Sequence, residues 1–587
     1  MKHLLIIITA LLTLPLLQAT TLAAAWQAVD GPLKTRWAKD VSPANVLPEY
    51  PRPQMVRKDW LNLNGLWGIK TGDGIEARIL VPFAIESALS GVMKHTDRLT
   101  YRRSFEVPKE WAGRQVLLHF GAVDWETKVS LNGKELGVHR GGYDAFSFDI
   151  TAALKPEGIQ DNTVQEITVE VFDPTNDGGQ ARGKQKLIPK GIMYTPTTGI
   201  WQTVWLEPVA ATHIEALKIV PDVDGNCLRL TVNGIGTVVA VASDNGMEVA
   251  QASGAAGSEL KLAIPNPKLW SPDSPQLYDL RVVLKSGDKT VDEVTSYFGM
   301  RKIALGKDDK GITRIMLNGK AVFQVGPLDQ GFWPDGIYTA PTDAALRFDV
   351  AETKRLGFNC TRKHIKVEPD RWYYWCDKLG LLVWQDMPSV NSYCGKQAKP
   401  PIDAPQFKSE LVTMVKNHWN SPAIIMWVVF NESQGQHDTE ALVAEVKALD
   451  PSRLVSNASG GADKNCGDVI DIHSYSGPDS PKPEDKRAAV LGEFGGLGLP
   501  VDGHIWSKKT WSYEGAQNIE DLTQGYEKLL AKAWELNATA GLSAVIYTQI
   551  TDVETECNGL LTYDREVNKV IPARAAAANS GKAMVPQ

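Results

Sequence analysis

Ile424-Ile-Met-Trp-Val-Val-Phe-Asn-Glu432 is the stretch on which the reading of this chain turns. Its apolar run does not alternate, so it cannot be a strand with one wet face. It reads instead as a short strand buried on both sides, the kind found in parallel sheets covered by helices. The run then stops on a carboxylate. An unpaired carboxylate at the end of a buried strand is costly, so its presence calls for a reason. Ala489-Val-Leu-Gly-Glu493 repeats the pattern 61 positions further on.

Working outward, short apolar strands alternate with helical stretches throughout 306–587. Strands are predicted at Val322–Gly326, Phe358–Arg362, Leu381–Asp386, Ile424–Asn431, Leu454–Asn457, Val469–His473, Ala489–Glu493 and Ser543–Gln549. Helices are predicted at Asp343–Leu356, Pro369–Leu379, Pro405–His418, Thr439–Leu449 and Ile519–Leu536. Length and rhythm fit a (β/α)8 TIM barrel. A doubly wound open sheet is the rival, but no GxGxxG follows any of these strands. In such barrels chemistry sits at the C-terminal ends of the strands. The polar residues there are Asp329 and Gln330, then Arg362, Lys363 and His364, then Gln385 and Asp386. Asn431 and Glu432 end the fourth strand, His473 and Tyr475 the sixth, Glu493 the seventh, and Gln549 and Asp552 the eighth.

The preceding sequence is β in character. Gln115–Phe120, Lys128–Leu131 closed by Asn132-Gly133, and Glu166–Phe172 alternate as sandwich strands do. A β-sandwich of jelly-roll type is expected over 26–210. Leu228–Val232, Gly236–Ala242, Leu260–Ile264 and Tyr278–Leu284 give a smaller, immunoglobulin-like β-sandwich over 211–305. Lys2 and His3 lead into an apolar run, Leu4–Leu17, with Ala23, Ala24 and Ala25 beyond it. This pattern predicts a signal peptide over 1–25 and a periplasmic or secreted protein with no membrane span after its removal.

Composition narrows the classes. The 587 residues carry 62 basic and 69 acidic side chains, a net charge of -7, which offers nothing to nucleic acid. The 18 tryptophans suit a carbohydrate partner as well as they suit large cores. Six cysteines permit disulfides in an exported chain, but Cys360 falls on a buried strand and Cys376 inside a helix, where free thiols are expected. No CxxC pair and no other ligand cluster calls for a metal or cofactor, so none is expected.

Two carboxylates at one barrel mouth are what glycosidic bond cleavage needs: an acid for the departing oxygen, and a nucleophile or a base for water. Asn431, directly before Glu432, can bond a sugar 2-hydroxyl. The competing reading is structural, with each glutamate a helix cap or a partner for Arg or Lys.

Further motifs tip the balance. Leu63-Asn-Gly-Leu-Trp67, Val81-Pro-Phe-Ala-Ile-Glu-Ser87, Tyr101-Arg-Arg-Ser-Phe-Glu-Val-Pro108, Gly141-Gly-Tyr-Asp-Ala-Phe146 and Gly199-Ile-Trp-Gln-Thr-Val-Trp205 lie in the first domain. Leu269-Trp-Ser-Pro-Asp-Ser-Pro275 and Phe298-Gly-Met-Arg301 lie in the second, and Cys376–Trp384, Asn417-His-Trp-Asn-Ser-Pro422 and Asn431-Glu432 in the barrel. Together these resemble glycoside hydrolase family 2, the β-galactosidases, β-glucuronidases and β-mannosidases. The resemblance implies a retaining, exo-acting enzyme with Glu432 as acid/base and Glu493 as nucleophile. The site of Glu432 should then raise its pKa, while donors, Tyr475 among them, hold Glu493 ionised.

The sugar is harder to read. The family's Arg-x-Ser-His-Tyr-Pro becomes Arg362-Lys-His-Ile-Lys-Val here, with His364 one place early. Trp384-Gln-Asp386 looks mannosidase-like, yet the mannosidase Arg-Val-Trp-Gly is missing. The Asn-x-Lys with which glucuronidases grip a carboxylate is absent from Gly559–Arg565; Asn568-Lys569 lies nearby without matching it. Trp333, in a loop with Asp329 and Asp335, is a candidate stacking platform, and Asp552–Cys557 a candidate substrate contact. The substrate-binding set is therefore Asn431, Tyr475, His364, Arg362, Asp386, Trp333, His473 and Asp329. A β-galactosidase is the first expectation. Another family-2 specificity (β-glucuronidase, β-mannosidase or a furanosidase) is the alternative. A non-catalytic carbohydrate-binding protein is the rival from another class.

Overall fold

A computed structural model describes residues 26–155, 163–390 and 401–582. The first domain is an antiparallel sandwich of a six-stranded and a four-stranded sheet. Strands such as Glu126–Leu131 and Gln165–Phe172 bury every second side chain, as their alternation requires. Asn132 and Gly133 both take positive φ, 52° and 78°, and join Leu131 to Lys134 in a two-residue hairpin. Trp67, Tyr101, Phe120, Val129 and Val169 fill the space between the sheets.

The second domain has seven strands, in sheets of three and four. Cys227–Asn233, Thr237–Asp244, Glu259–Ala263 and Tyr278–Ser286 lie within a residue or two of the predicted strands. Arg301, at its end, donates to the carbonyls of Pro422 and Ile424 and so ties this domain to the barrel.

Eight parallel strands form the barrel: Gln324–Asp329, Cys360–Lys363, Leu382–Asp386, Ile424–Val428, Leu454–Ser456, Val469–Ser474, Ala488–Gly495 and Leu542–Thr548. The first and eighth strands pair, and the seam between the fifth and sixth is bridged by the Asp468 amide on the Val455 carbonyl at 2.8 Å. The first strand runs further along the chain than the sequence suggests. Lys320–Ala321 turns back onto Thr313–Leu317 in an antiparallel hairpin, so the barrel strand begins only at Gln324. It also continues through Gly326-Pro327, a step that reads as a strand end. The five predicted helices form at Asp343–Arg355, Asp370–Leu379, Ala404–His418, Thr439–Leu449 and Ile519–Thr539. Among the described residues no helix separates the fifth, sixth and seventh strands. Gly460-Gly461, Gly467 and the prolines at 478, 481 and 483 interrupt any helical run there.

No helix of the described residues is long and apolar enough to cross a membrane. Cys227, Cys360, Cys376, Cys466 and Cys557 are free thiols. The expected signal peptide and Cys394 lie outside the described residues.

Candidate active site

The strand ends converge as the barrel geometry demands. The backbone amide of Glu432 bonds the Ser459 carbonyl at 2.8 Å, and residues 432 and 433 both take left-handed φ, 47° and 58°. This turn swings the Glu432 side chain over the mouth, where it stays 31% exposed. Glu493 lies deeper, 6% exposed, on the seventh strand. His473 stands between them, with Nδ1 3.2 Å from Glu432 Oε1 and 3.5 Å from Glu493 Oε2. One oxygen of each glutamate and one nitrogen of His473 all fall within 4.8 Å of one another.

The two carboxylates have different neighbours. Glu493 accepts from Tyr475 at 2.5 Å and from Arg362 at 3.2 Å, with His364 Nδ1 3.8 Å away. Arg362 is fully buried and gripped by both oxygens of Asp386, at 3.0 and 2.9 Å. It also donates to Asn431 Oδ1 at 2.8 Å, which fixes the Asn431 amide beside Glu432. Asp386 in turn accepts from His364 Nδ1 at 3.1 Å. Besides His473, Glu432 accepts from the side-chain amides of Asn431 at 3.4 Å and Gln434 at 3.2 Å.

Electrostatics follow from this arrangement. Burial pushes Glu493 up, but the facing His473, with Arg362, holds it below the usual carboxylate value. Burial lowers His473, and the carboxylates of Glu493 and Glu432 more than reverse that. For Glu432 the expected upward shift is overturned. Burial raises it, yet the His473 hydrogen bond and the Lys184 charge pull it down to about 2. In the open pocket the proton therefore rests on His473. His364 is the reverse case: burial and the Lys184 charge drive it well below the ordinary imidazole value, so it is neutral.

Of the residues named from sequence, Glu432, Glu493, Asn431, Arg362, His364, Asp386, His473 and Tyr475 form this one cluster. Two do not join it. Trp333 is 1% exposed, edge-on to Trp37 and covered by Arg565 at 3.9 Å, so its faces are spent on packing and it is no stacking platform. Asp329 is neutralised by Lys363 at 2.7 Å and accepts from the Gly331 amide. Asp335 likewise accepts from Thr35. The loop at 552–557 does reach the mouth. Glu556 accepts from Asn558 at 2.9 Å and from Tyr194, whose hydroxyl also meets Gln330 at 2.8 Å.

Tyr194 belongs to the sandwich, and it marks what the sequence reading missed. The segment from Gly183 to Thr195 leaves the first domain and docks on the barrel mouth, with the Thr195 amide on Glu554 at 2.7 Å. It brings the Lys184 charge within electrostatic range of Glu432. Tyr513 is a second omission: its ring stacks on Tyr475 at 3.9 Å and 9°. Neither segment has a strand or helix period to flag it.

Glu432, His473 and Glu493 are also the one group among the described residues whose donor atoms converge closely enough to chelate a cation. A cation there would occupy both carboxylates.

The fold and site together define a class: a sandwich and an immunoglobulin-like domain mounted on a barrel that gathers two carboxylates at its mouth. Comparison with known proteins agrees domain by domain. Residues 36–180 match the sugar-binding domain of glycosyl hydrolases family 2, residues 212–301 match glycosyl hydrolases family 2, and residues 338–494 match its TIM barrel domain. The chain belongs to glycosyl hydrolases family 2. Among curated relatives, a putative beta-glucuronidase of Formosa agariphila is 26% identical over 77% of this chain and 44% of its own length. A beta-galactosidase of Thermoanaerobacter pseudethanolicus is 29% identical over 60% and 47%. A beta-glucuronidase of Bacteroides fragilis is 27% identical over 69% and 61%. The chain thus spans about half the length of the curated relatives it matches. The fold is shared with a beta-glucuronidase from Ruminococcus gnavus (TM-score 0.71, 18% identity, 92% of this chain and 100% of that one). It is shared equally with a beta-D-glucuronidase from Dictyoglomus thermophilum (TM-score 0.72, 18% identity, 92% and 99%).

Proposed function

We propose that this chain is a retaining, exo-acting β-glycosidase, with Glu493 as nucleophile and Glu432 as acid/base. The observation that carries this reading is the convergence of the two carboxylates to within 4.8 Å with opposite surroundings. Retaining enzymes keep their carboxyl groups about 5–5.5 Å apart, whereas inverting ones leave roughly 6.5–9.5 Å for a water. Glu493, clamped by Tyr475 and Arg362, is fixed and ionised, as a nucleophile must be. Glu432, partly exposed at the rim, faces the side on which a leaving group departs.

The proton inventory fits as well. The resting cluster holds one proton, on His473, and the productive form holds one, on Glu432. The transfer spans 3.2 Å, from Nδ1 to Oε1. A sugar that displaces water from Glu432 disfavours its charged form and drives the proton across. Glu432 then protonates the glycosidic oxygen while Glu493 attacks the anomeric carbon. In the second step it takes the proton of the incoming water. Asn431 lies where a 2-hydroxyl contact is needed, its amide oriented by Arg362. The docked sandwich segment walls one side of the mouth, which favours a chain end over a mid-chain site.

The first expectation, a β-galactosidase, widens here. Relatives named beta-glucuronidase stand beside those named beta-galactosidase, and we place a β-glucuronide at least level with a β-galactoside. Export to the periplasm or medium is proposed from the leader sequence alone. The test of the mechanism is a 2-deoxy-2-fluoro glycoside with a good leaving group. Mass spectrometry of the trapped enzyme should place the sugar on Glu493; a label on any other carboxylate would refute the assignment.

A further inference from the structure

Among the described residues, the buried cations named here around the barrel mouth are each committed to a partner, with one exception. Arg362 is held by Asp386 and Glu493. Lys363 sits on Asp329 and Glu368, and Lys366 on Glu368 and the carbonyls of Gly331 and Tyr338. Arg565 is paired with Asp349. Lys569, the barrel lysine nearest in sequence to a carboxylate-gripping position, spends its ammonium on Asp552 at 2.6 Å and the Cys557 carbonyl at 3.0 Å. Lys184 differs. It is 7% exposed, and among the described residues its ammonium has neither a hydrogen bond nor an ion pair.

Its place is enforced by the backbone. Gly183 donates to the Ser389 carbonyl at 3.0 Å, and Lys184 accepts from the Tyr194 amide at 2.9 Å. Gly183 has φ +64°, and a Cβ there would come within 2.7 Å of both the Ile365 carbonyl and the Tyr143 hydroxyl. The chain is thus pressed against the residue that follows His364. From there the Lys184 charge is felt by Glu432, His364 and Glu556, which puts it within electrostatic range of the reacting centre. The nearby carboxylates are already served: Glu432 by His473 and Gln434, Glu493 by Tyr475 and Arg362, Glu556 by Tyr194 and Asn558.

The Lys184 side chain is mostly buried and its ammonium is unpaired among the described residues, and hydroxyl groups of a neutral sugar would not balance its charge. An anion from the substrate would. We propose that Lys184, contributed by the sandwich domain, is a specificity residue that binds an anionic group of the sugar substrate, a carboxylate or a sulfate ester. The inference rests on the glycosidase reading of the same mouth, and it makes the substrate an acidic glycoside.

The test compares kcat/KM for 4-nitrophenyl β-D-glucuronide, β-D-galacturonide and 6-sulfo-β-D-galactoside with that for neutral β-D-glucoside and β-D-galactoside. The wild type should favour an acidic substrate, and which acidic arm leads tells carboxylate from sulfate. In Lys184→Gln the acidic-to-neutral ratio should fall roughly 10- to 100-fold, the weight of one charge-assisted hydrogen bond. Lys184→Glu should lower it further. A wild type that prefers neutral glycosides, or a Lys184→Gln enzyme that loses the same factor on both classes, overturns the proposal. Calorimetric binding of D-glucuronate, D-galacturonate and galactose 6-sulfate against glucose and galactose probes the same site without turnover. One of the anions should bind the wild type tighter than its neutral counterpart and lose that margin in Lys184→Gln. If none does, the proposal fails. If a margin appears while no glycoside is hydrolysed, the glycosidase reading fails and the anion site stands.

Discussion

Tyr475→Phe isolates one bond at the centre of the proposed chemistry. The hydroxyl donates to Glu493 Oε2 at 2.5 Å, and its other neighbour is Thr548 Oγ1 at 3.1 Å. Burial first, and then the facing Glu493 carboxylate, push the phenol well above its ordinary pKa, so it remains a donor throughout the working pH range. Phenylalanine keeps the ring and its stack on Tyr513 at 3.9 Å, so the melting temperature should change little. What is lost is a hydrogen bond to a charged group, worth about 1.5–3 kcal/mol. The loss should fall on the second displacement, in which the ester breaks and charge returns to Glu493. At about 1.36 kcal/mol per decade, deglycosylation slows roughly 10- to 150-fold. An activated aryl glycoside, for which this step limits turnover, should show a kcat reduced by that factor. It should also show a larger pre-steady-state burst, because the covalent intermediate accumulates. The pH profile should move as well. Glu493 must be ionised and is held below its usual value, so activity is lost as pH falls through its pKa. Removing a donor raises that pKa, and the acid limb should shift to higher pH. A variant with wild-type melting, a kcat within about twofold of wild type and an unmoved acid limb would refute the assignment of Tyr475 to the nucleophile.

Three further outcomes are expected. Glu432→Gln should slow hydrolysis of substrates with poor leaving groups by roughly 10²–10⁴-fold and spare activated aryl glycosides, because only the former need protonation; equal losses would count against the acid role. His473 carries the resting proton with a raised pKa, so kcat/KM should decline as pH rises through that value. In His473→Asn the limb should move to lower pH, since the proton then rests on a carboxyl group alone; an unmoved limb on a pH–rate curve would separate His473 from the chemistry. EDTA should leave activity intact, while Zn²⁺ should inhibit competitively with substrate by chelation at Glu432, His473 and Glu493; activation by a divalent ion would overturn this.

Much of the scaffold was legible because burial on both faces leaves a strong mark. Apolar runs such as Ile424–Phe430 have no solvent face to alternate for, and a glutamate at the end of one stands out against them. The helix start expected at Asp343 is the observed one, and there the Thr342 side chain accepts from the Ala345 amide. The first strand was displaced because a hairpin before it and a Gly-Pro step within it both look like strand ends. The mouth cluster was legible in membership, since position after a barrel strand selects residues by topology. Trp333 failed that test because a loop tryptophan can face either the pocket or the core, and only packing against Trp37 and Arg565 chooses.

The protonation state was not legible. Sequence alone assigned Glu432 its role and hence an elevated pKa, but pKa is a property of neighbours. Its neighbours come from the sixth strand, as His473, and from another domain, as Lys184. What the sequence determined by itself was local and periodic: a two-sided hydrophobic run fixes a barrel strand, and strand order fixes which residues share a mouth. What only the tertiary structure decided was long-range. Lys184 and Glu432 are distant in the chain and come within electrostatic range because Gly183 fits where no side chain can, against the turn after the second strand, and no pattern in either segment encodes that approach.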